Sequence, residues 1–197
     1  IYIFSDAPKN SNQINKVEIV RKYIRKIHGF KKKKIFYRKV NYGLAKNIIS
    51  GVTEILNKEK KAIILEDDLI FSKNFLFFMN KALNYYEKKE KVFHISGWNY
   101  NVTPNIDEDC FFTRGMNCWG WATWKNRWKH FEKNPDKIAR NWKKEKIKKF
   151  NFDNSYNFFS QIIRNKKRTL NSWAIFWYAS IFNKKKLCLN PKISLTQ

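Results

Sequence analysis

The chain has 197 residues, of which 43% are apolar and 17% aromatic, a composition that excludes an intrinsically disordered protein. The length allows one sizeable α/β domain. The 41 basic and 16 acidic residues give a net charge of +25, which makes nucleic acid or an anionic membrane surface a partner to consider. Lysine-rich faces exposed to solvent are the simpler interpretation, and a nucleic-acid groove is the less favoured one.

Strands and helices alternate in the first half of the chain. The spacing of apolar residues predicts strands at Ile1–Phe4, Lys34–Val40, Ala62–Leu65 and Lys91–Ser96, with helices at Asn15–Ile27, Leu44–Leu56 and Lys73–Lys88. This β-α-β-α-β-α-β order predicts an α/β protein with a mostly parallel sheet.

The second half is richer in tryptophan, and its pattern is less regular. Helices are predicted at Lys137–Phe150, Tyr156–Arg164 and Ser172–Phe182, and a last strand at Leu187–Leu189. We therefore expect one domain over 1–197, with two halves at 1–100 and 101–197. Because the chain opens on a strand, without Met, we expect a fragment of a longer protein.

The cellular setting is predicted from cysteines and apolar runs. Cys110, Cys118 and Cys188 are odd in number and form no C-x-x-C pair, which indicates neither a zinc site nor a disulfide framework. No apolar run is long enough to span a bilayer, and no secretory signal is visible. We expect a cytoplasmic protein with peripheral contact at the inner face of the membrane.

Three consecutive acids, Glu66, Asp67 and Asp68, follow the predicted strand Ala62–Leu65. That strand is apolar at every position, as in the middle of a sheet covered on both faces. Ligands of open α/β sheets bind beyond the carboxyl ends of strands, and carboxylates suit Mg²⁺ or Mn²⁺. The alternative is a solvated turn that caps the next helix. Asp6 follows the first strand at the same predicted edge, where it could contact a nucleotide or form an Asx-turn.

Several segments together resemble GT-A glycosyltransferases. The motifs are Asn41-Tyr42-Gly43-Leu44-Ala45, Ile63–Phe75 with its E-D-D, Ser96-Gly97-Trp98-Asn99, Cys118–Trp124 with Arg127-Trp128, Ser172–Trp177 and Asn190–Leu195. They are similar, in order and over nearly the whole chain, to bacterial sugar transferases distantly related to the β-1,2-N-acetylglucosaminyltransferase I type.

The resemblance implies a three-layer α/β/α GT-A fold that lacks its first β-α unit, a nucleotide-sugar donor (a UDP-sugar is expected) and Mn²⁺ or Mg²⁺. It implies that 1–100 is the nucleotide-sugar-binding half and 101–197 the acceptor-binding half. It implies Asp68 as metal ligand, with Glu66 and Asp67 near the ribose and sugar. The nucleotide or diphosphate contacts that it implies are Asp6, Asn41, Gly43 and Lys46. A catalytic acid of the related enzyme falls at Ala174, so the resemblance supplies no base.

Two further roles stay open between alternatives. Asp153 is a candidate general base, although an acid just before a predicted helix is more often its N-cap. The tryptophans near Trp119 could form a platform for acceptor sugar, although core packing explains most of them; Trp119 or Trp121 is the exposed candidate.

The predicted function is metal-dependent, inverting transfer of a hexosyl or N-acetylhexosaminyl group to a glycan or glycolipid of the cell surface. The alternatives are a basic, aromatic-rich protein that binds nucleic acid or anionic polysaccharide, and a truncated, inactive transferase.

Overall fold

The computed structural model describes residues 1–100 and 106–197, and the chain divides into two units, Ile1–Ile55 and Leu56–Gln197. The division falls within one long helix, α2 (Gly43–Lys58). The two functional halves predicted from the sequence remain a prediction, because they concern ligand binding rather than packing.

The first unit is a parallel β-α-β arrangement followed by most of α2. Strands β1 (Tyr2–Ser5) and β2 (Lys34–Tyr37) pair in parallel, with Phe4 opposite Phe36. They are joined by a 3₁₀ turn (Ser11–Gln13) and helix α1 (Ile14–Lys26), and α2 (Gly43–Lys58) follows β2. The Phe4 and Phe36 rings stack with their centroids 4.6 Å apart.

The second unit contains a five-stranded sheet and six further helices among the described residues. Its strands are β3 (Lys61–Ile64), β4 (Val92–Ser96), β5 (Cys110–Thr113), β6 (Trp121–Trp124) and β7 (Leu187–Pro191). Its helices are α3 (Phe75–Tyr85), α4 (Lys125–Trp128), α5 (Pro135–Asn141), α6 (Lys144–Phe150), α7 (Phe159–Lys166) and α8 (Ala174–Asn183).

The sheet of the second unit is mixed, with strand order β3-β6-β4-β7-β5. Strand β6 is antiparallel to both β3 and β4, while β7 is parallel to β4 and antiparallel to β5. Strands β3, β4 and β7 therefore run in one direction, and β5 and β6 in the other. The predicted α/β class is confirmed, but the sequence did not predict the antiparallel strands β5 and β6.

The prediction of a buried middle strand before the acids is wrong. Strand β3 is at one end of the strand order, and each of its residues is only partly buried. The interior place next to it belongs to β6, whose residues Trp121, Ala122, Thr123 and Trp124 are all buried. Two large indoles within four residues give β6 more apolar surface to bury than β3 has.

Helices cover both faces of this sheet. On one face, α3 packs Phe75, Met79 and Leu83 against Ile95 and Trp124, and the Trp124 indole donates to the Leu83 carbonyl at 3.1 Å. On the other face, Trp177 of α8 donates from its indole to His94 Nδ1 at 3.2 Å.

A second apolar core lies among α5–α8. It contains Trp142, Phe150, Phe176 and Tyr178. The predicted helix Lys137–Phe150 is broken into α5 and α6, because Trp142 takes an extended conformation (ψ 120°) and its ring packs 4.9 Å from that of Phe150. Within the described ranges, none of the helices combines the length and apolarity needed to cross a bilayer.

Candidate functional site

Three segments leave the sheet of the second unit at one point. Trp121, the first residue of β6, pairs with Ile64 at the end of β3 and with Ser96 at the end of β4. The residues after Ile64 and Ser96 and the residues before Trp121 therefore emerge side by side. This is the carboxyl edge of the sheet, where open α/β sheets place their ligand sites; we call it the acidic edge.

The acidic cluster Glu66-Asp67-Asp68 lies at the acidic edge in a turn directly after β3. Asp67 and Asp68 are exposed, while Glu66 is partly buried. Burial raises the pKa of Glu66, and the negative charges of Asp68 and Asp67 raise it further. No lysine or arginine of the described residues forms an ion pair with the three acids. The cluster is thus a local concentration of negative charge in a chain of net charge +25.

Cys118 lies within electrostatic reach of this cluster. Its pKa is raised to about 11, first by burial and then by the charge on Glu66, with a smaller contribution from Asp68. Burial and these charges therefore disfavour the thiolate, which is the nucleophilic form of cysteine. Cys118, and with it the start of the Cys118–Gly120 segment, therefore lies at the same edge of the sheet as the acids.

Three aromatic rings gather at the same edge. The Trp98 ring meets the Trp119 ring edge-on with centroids 5.1 Å apart, and the Tyr100 ring at 4.7 Å. Trp119 is 49% exposed and Tyr100 is also exposed. We call Trp98, Tyr100 and Trp119 the aromatic cluster. The expectation that one tryptophan of this region is exposed holds for Trp119.

The alternative prediction, that Trp121 is the exposed tryptophan, is wrong. Trp121 is fully buried, and its ring stacks between His94, 5.4 Å away, and Trp173, 5.1 Å away. Its indole Nε1 has no hydrogen-bond partner within the described part of the chain. Trp121 is a core residue and cannot contact an acceptor.

Two glycines allow the segments to approach closely. Gly97 donates from its N–H to the Gly120 carbonyl at 2.6 Å. A Cβ on Gly97 would lie 2.8 Å from that carbonyl oxygen and would overlap the Phe75 ring. Gly120 has a φ of 69°, which is strained for other residues. The Ser-Gly-Trp-Asn and Trp-Gly-Trp motifs thus owe their glycines to packing.

The last residues of the chain fix these segments in place. Leu195 donates to the Gly97 carbonyl at 2.8 Å, and Thr196 Oγ1 donates to the Trp119 carbonyl at 2.9 Å. Two hydrogen bonds join Gln197 to Ile70, just beyond the acids. The buried Asn99 donates from Nδ2 to the Lys192 carbonyl at 3.0 Å. The segment from Asn190 to Gln197, which includes the Asn190–Leu195 motif, therefore crosses the acidic edge; we call it the strap.

In the first unit, Asp6 is fully engaged by its own chain. Its Oδ1 accepts from the N–H groups of Ala7 and Tyr42, both at 2.9 Å, and its Oδ2 from the N–H of Gly43 at 2.8 Å and from Asn41 Nδ2 at 3.3 Å. The Tyr42 and Gly43 amides stand at the start of α2, where N–H groups lack partners within the helix. Asp6 therefore caps α2 from the end of β1.

The structure brings Asp6, Asn41 and Gly43, three of the implied nucleotide contacts, together in the first unit. Gly43 has a φ of 67°, and Lys46, one turn further along α2, places its Nζ 4.2 Å from the centre of the Tyr42 ring. Their contacts with a nucleotide stay a prediction.

Asp153 is not among the residues at the acidic edge. It forms an exposed ion pair with Arg114 at 3.3 Å. Arg114 follows the end of β5, and β5 runs opposite to β3 and β4, so Arg114 leaves the sheet at the other edge. Asp153 is not the N-cap of α7 either, because Asn157 Oδ1 accepts from Ser160 N at 3.1 Å. Phe152, Asp153 and Asn154 all have φ between 52° and 73°.

Sequence reasoning assigned no role to Trp98, Tyr100 or the strap. The signal for Trp98 was present, since it lies in the Ser-Gly-Trp-Asn motif; Ser96 Oγ donates to the Trp98 carbonyl at 2.7 Å and holds that turn. Nothing in the sequence ties Thr196 to Trp119, because they are far apart along the chain.

No family model matches the chain, and no curated protein matches it. In residues 1–100 and 106–197, no three His, Cys, Asp or Glu side chains converge closely enough to hold a metal ion by themselves.

Proposed function

We propose that this protein is a GT-A-type glycosyltransferase that moves a sugar from a nucleotide-diphospho-sugar, with UDP the expected nucleotide, to a glycan or glycolipid acceptor. The observation that carries the proposal is the meeting of two chemistries at the acidic edge. Carboxylates that suit a cation leave the sheet next to exposed aromatic rings that suit a sugar.

The donor side of the proposal rests on the acidic cluster. Carboxylate oxygens are the ligands that Mg²⁺ and Mn²⁺ prefer, and such ions are commonly held by one or two carboxylates together with substrate phosphates. The residues present fit that description, since Asp68 and Asp67 are exposed and adjacent. A three-residue protein cage is not required. Asp68 would hold the ion, Glu66 and Asp67 would face the donor, and the ion would neutralise charge on the diphosphate.

The acceptor side rests on the aromatic cluster. The flat faces of Trp119 and Tyr100 can pack against the C–H faces of a sugar while their polar atoms reach hydroxyl groups. In the transfer step, an acceptor oxygen bonds to the anomeric carbon of the donor. The bond from that carbon to phosphate breaks, and the nucleoside diphosphate leaves with the electron pair. The hydroxyl proton goes to a base, which Asp153 does not provide in this proposal.

The nucleotide contacts proposed for Asp6, Asn41, Gly43 and Lys46 rest on the resemblance of the Asn41–Ala45 motif. In the first unit, Asp6 already accepts four hydrogen bonds from its own chain. Its part in donor binding is then to hold the Asn41–Gly43 turn in shape.

The decisive experiment compares two Asp→Asn variants in binding and turnover. We expect UDP with Mn²⁺ to raise the melting temperature of the native chain and of Asp107→Asn, an exposed acid outside the cluster. Asp68→Asn should lose this shift. With a panel of UDP-sugars and glycan acceptors, Trp119→Ala should raise the acceptor KM, while Tyr156→Ala, an exposed aromatic elsewhere, should not. No shift with any nucleotide and metal would refute the proposal.

A second candidate function has its own observation. A groove of about 520 Å³ at the other edge of the sheet is lined by three aromatic rings and two lysines, together with the acid Glu90 and two aliphatic side chains; the rings and lysines are Tyr85, Tyr86, Phe112, Lys89 and Lys91. Rings and lysines in one groove suit nucleic acid or anionic polysaccharide. Strongly salt-dependent binding of either polymer, lost in Tyr85→Ala and kept in Asp68→Asn, would favour this function. Donor binding without turnover would favour the truncated, inactive transferase.

A further inference from the structure

Helix α1 presents apolar side chains to solvent. Ile19 and Tyr23, one helical turn apart, are 67% and 70% exposed, and Val20 beside them is also exposed. Only Ile24 of this helix is buried. An apolar stripe on the outer face of a surface helix requires an explanation.

The orientation of α1 is fixed from its inner side. Arg21 donates from Nη2 to the carbonyls of Asp6 and Arg38, both at 3.1 Å, and its guanidinium lies 5.1 Å from the centre of the Tyr37 ring. These contacts join α1 to the ends of β1 and β2. Since Arg21 and Ile24 point inward, the stripe of Ile19, Val20 and Tyr23 points outward.

Exposed lysines adjoin this apolar stripe. Lys16, Lys22 and Lys26 are exposed, and each lies three residues from Ile19 or Tyr23, the spacing of neighbours on a helix surface. The only acid of the helix, Glu18, forms an ion pair with the inward Arg21 at 3.5 Å. The outer face therefore carries an apolar centre with a cationic border.

The basic segment Lys31–Lys34 extends this border. Lys33 donates from Nζ to the carbonyls of Arg25 and Ile27, both at 2.6 Å, at the C-terminal end of α1. This holds the exposed Lys31 and Lys32 and the exposed Phe30 next to the helix end. The first unit has 13 basic and 3 acidic residues over Ile1–Ile55, a net charge of 13 − 3 = +10.

We propose that the outer face of α1 docks on an anionic lipid surface. The helix would lie in the plane of the interface, with Ile19, Val20 and Tyr23 among the upper acyl chains and Lys16, Lys22 and Lys26 at the headgroups. The occupant follows from charge complementarity combined with apolar insertion. A nucleic acid would use the lysines but would leave the apolar stripe in water. This docking does not depend on the transferase reaction.

The test is sedimentation with vesicles. We expect the native chain to bind vesicles of phosphatidylcholine and phosphatidylglycerol in equal parts, and not vesicles of phosphatidylcholine alone. The double variant Ile19→Ser/Tyr23→Ser should weaken binding about tenfold or more, because it removes the inserted side chains. The matched control is Leu76→Ser/Phe77→Ser on α3, two neighbouring apolar residues that are 55% and 68% exposed. This control should bind as the native chain does.

Two double variants that each remove two lysines test the cationic border separately. Lys22→Gln/Lys26→Gln should weaken vesicle binding about tenfold, whereas Lys148→Gln/Lys149→Gln, which removes the same charge from α6, should change it less than twofold. Equal losses in both lysine pairs, or in both apolar pairs, would overturn the proposal, as would no binding to anionic vesicles. A dimer of the native chain that Ile19→Ser/Tyr23→Ser dissociates in the absence of lipid would overturn it too. Melting temperatures of all variants establish that they are folded, and none of these results bears on nucleotide binding.

Discussion

His94 should make the protein lose stability in mild acid. The side chain is fully buried, its Nε2 lies 2.9 Å from the Asn117 carbonyl, and its Nδ1 accepts from the Trp177 indole. This fixes the neutral tautomer with the proton on Nε2. Burial lowers the pKa of His94 from 6.5 to about 3, although the hydrogen bond to Asn117 opposes the shift. A proton on Nδ1 would also break the bond from Trp177.

The direction of the effect follows from the two pKa values. Between about pH 6.5 and pH 3, the unfolded chain binds a proton at His94 that the folded chain does not. The contribution of His94 to stability is therefore fully present above pH 6.5 and is lost as the pH falls. The free energy of unfolding should fall by about 1.3 kcal/mol between pH 5.5 and pH 4.5 because of this residue alone.

The assay is urea unfolding at these two pH values, with His94→Gln as the reference. Glutamine keeps a donor and an acceptor but does not titrate. Carboxylates and His130, whose pKa is also lowered by burial, titrate in both proteins and cancel in the difference. The native chain should lose about 1.3 kcal/mol more than His94→Gln. A difference below about 0.3 kcal/mol would show that His94 is not held neutral in the folded state.

Three further predictions concern the residues that shape the two units. Asp6→Ala should lower the free energy of unfolding by about 1–2 kcal/mol in urea titrations, because α2 loses its cap; Asp107→Ala should not. Gly97→Ala should cost about 2–3 kcal/mol in the same assay, because its Cβ would overlap the Phe75 ring. Asp153→Asn should change stability by less than about 0.5 kcal/mol, since the acid is 61% exposed, and should leave sugar transfer unchanged. Loss of transfer in Asp153→Asn would contradict its placement at the other edge.

The local pattern of the sequence was sufficient for the first four strands and three helices. Each is found within a few residues of its predicted bounds, as with α2, predicted at Leu44–Leu56 and observed at Gly43–Lys58. Strand β6 could not be predicted in this way. Its place depends on the pairing of Trp121 with both Ile64 and Ser96, and such distant pairings leave no periodic signal.

The lack of a local sequence signal also explains which features of the candidate site could not be predicted. Trp119 and Trp121 are the same residue type two positions apart, so the sequence does not distinguish them. Gly120, with its φ of 69°, separates Trp119 from strand β6, which begins at Trp121. Trp121 is therefore inside the sheet and buried, while Trp119 lies outside it. Asp153 does not cap α7, and three consecutive residues without glycine, Phe152–Asn154, adopt left-handed φ values there, which a sequence pattern does not indicate.

At the acidic edge, the chain segments pack closely together, although this leaves three carboxylates without an ion pair among the described residues. Gly97 and Gly120 let the turns after β4 and before β6 touch. The strap from Asn190 to Gln197 holds the first turn through the Leu195 N–H and the second through the Thr196 hydroxyl. Cys118, which precedes Trp119 in the chain, lies within electrostatic reach of the acids. Burial raises the pKa of Glu66, and repulsion from Asp68 and Asp67 raises it further. An arginine or lysine in this turn would relieve the repulsion, yet the chain's 41 basic residues leave these acids without an ion pair in the described part of the structure. A bound cation would relieve it as well, and it would leave Trp119 free to meet a sugar. The packing that brings carboxylates and rings together at this edge is therefore the physical basis of the transferase proposal.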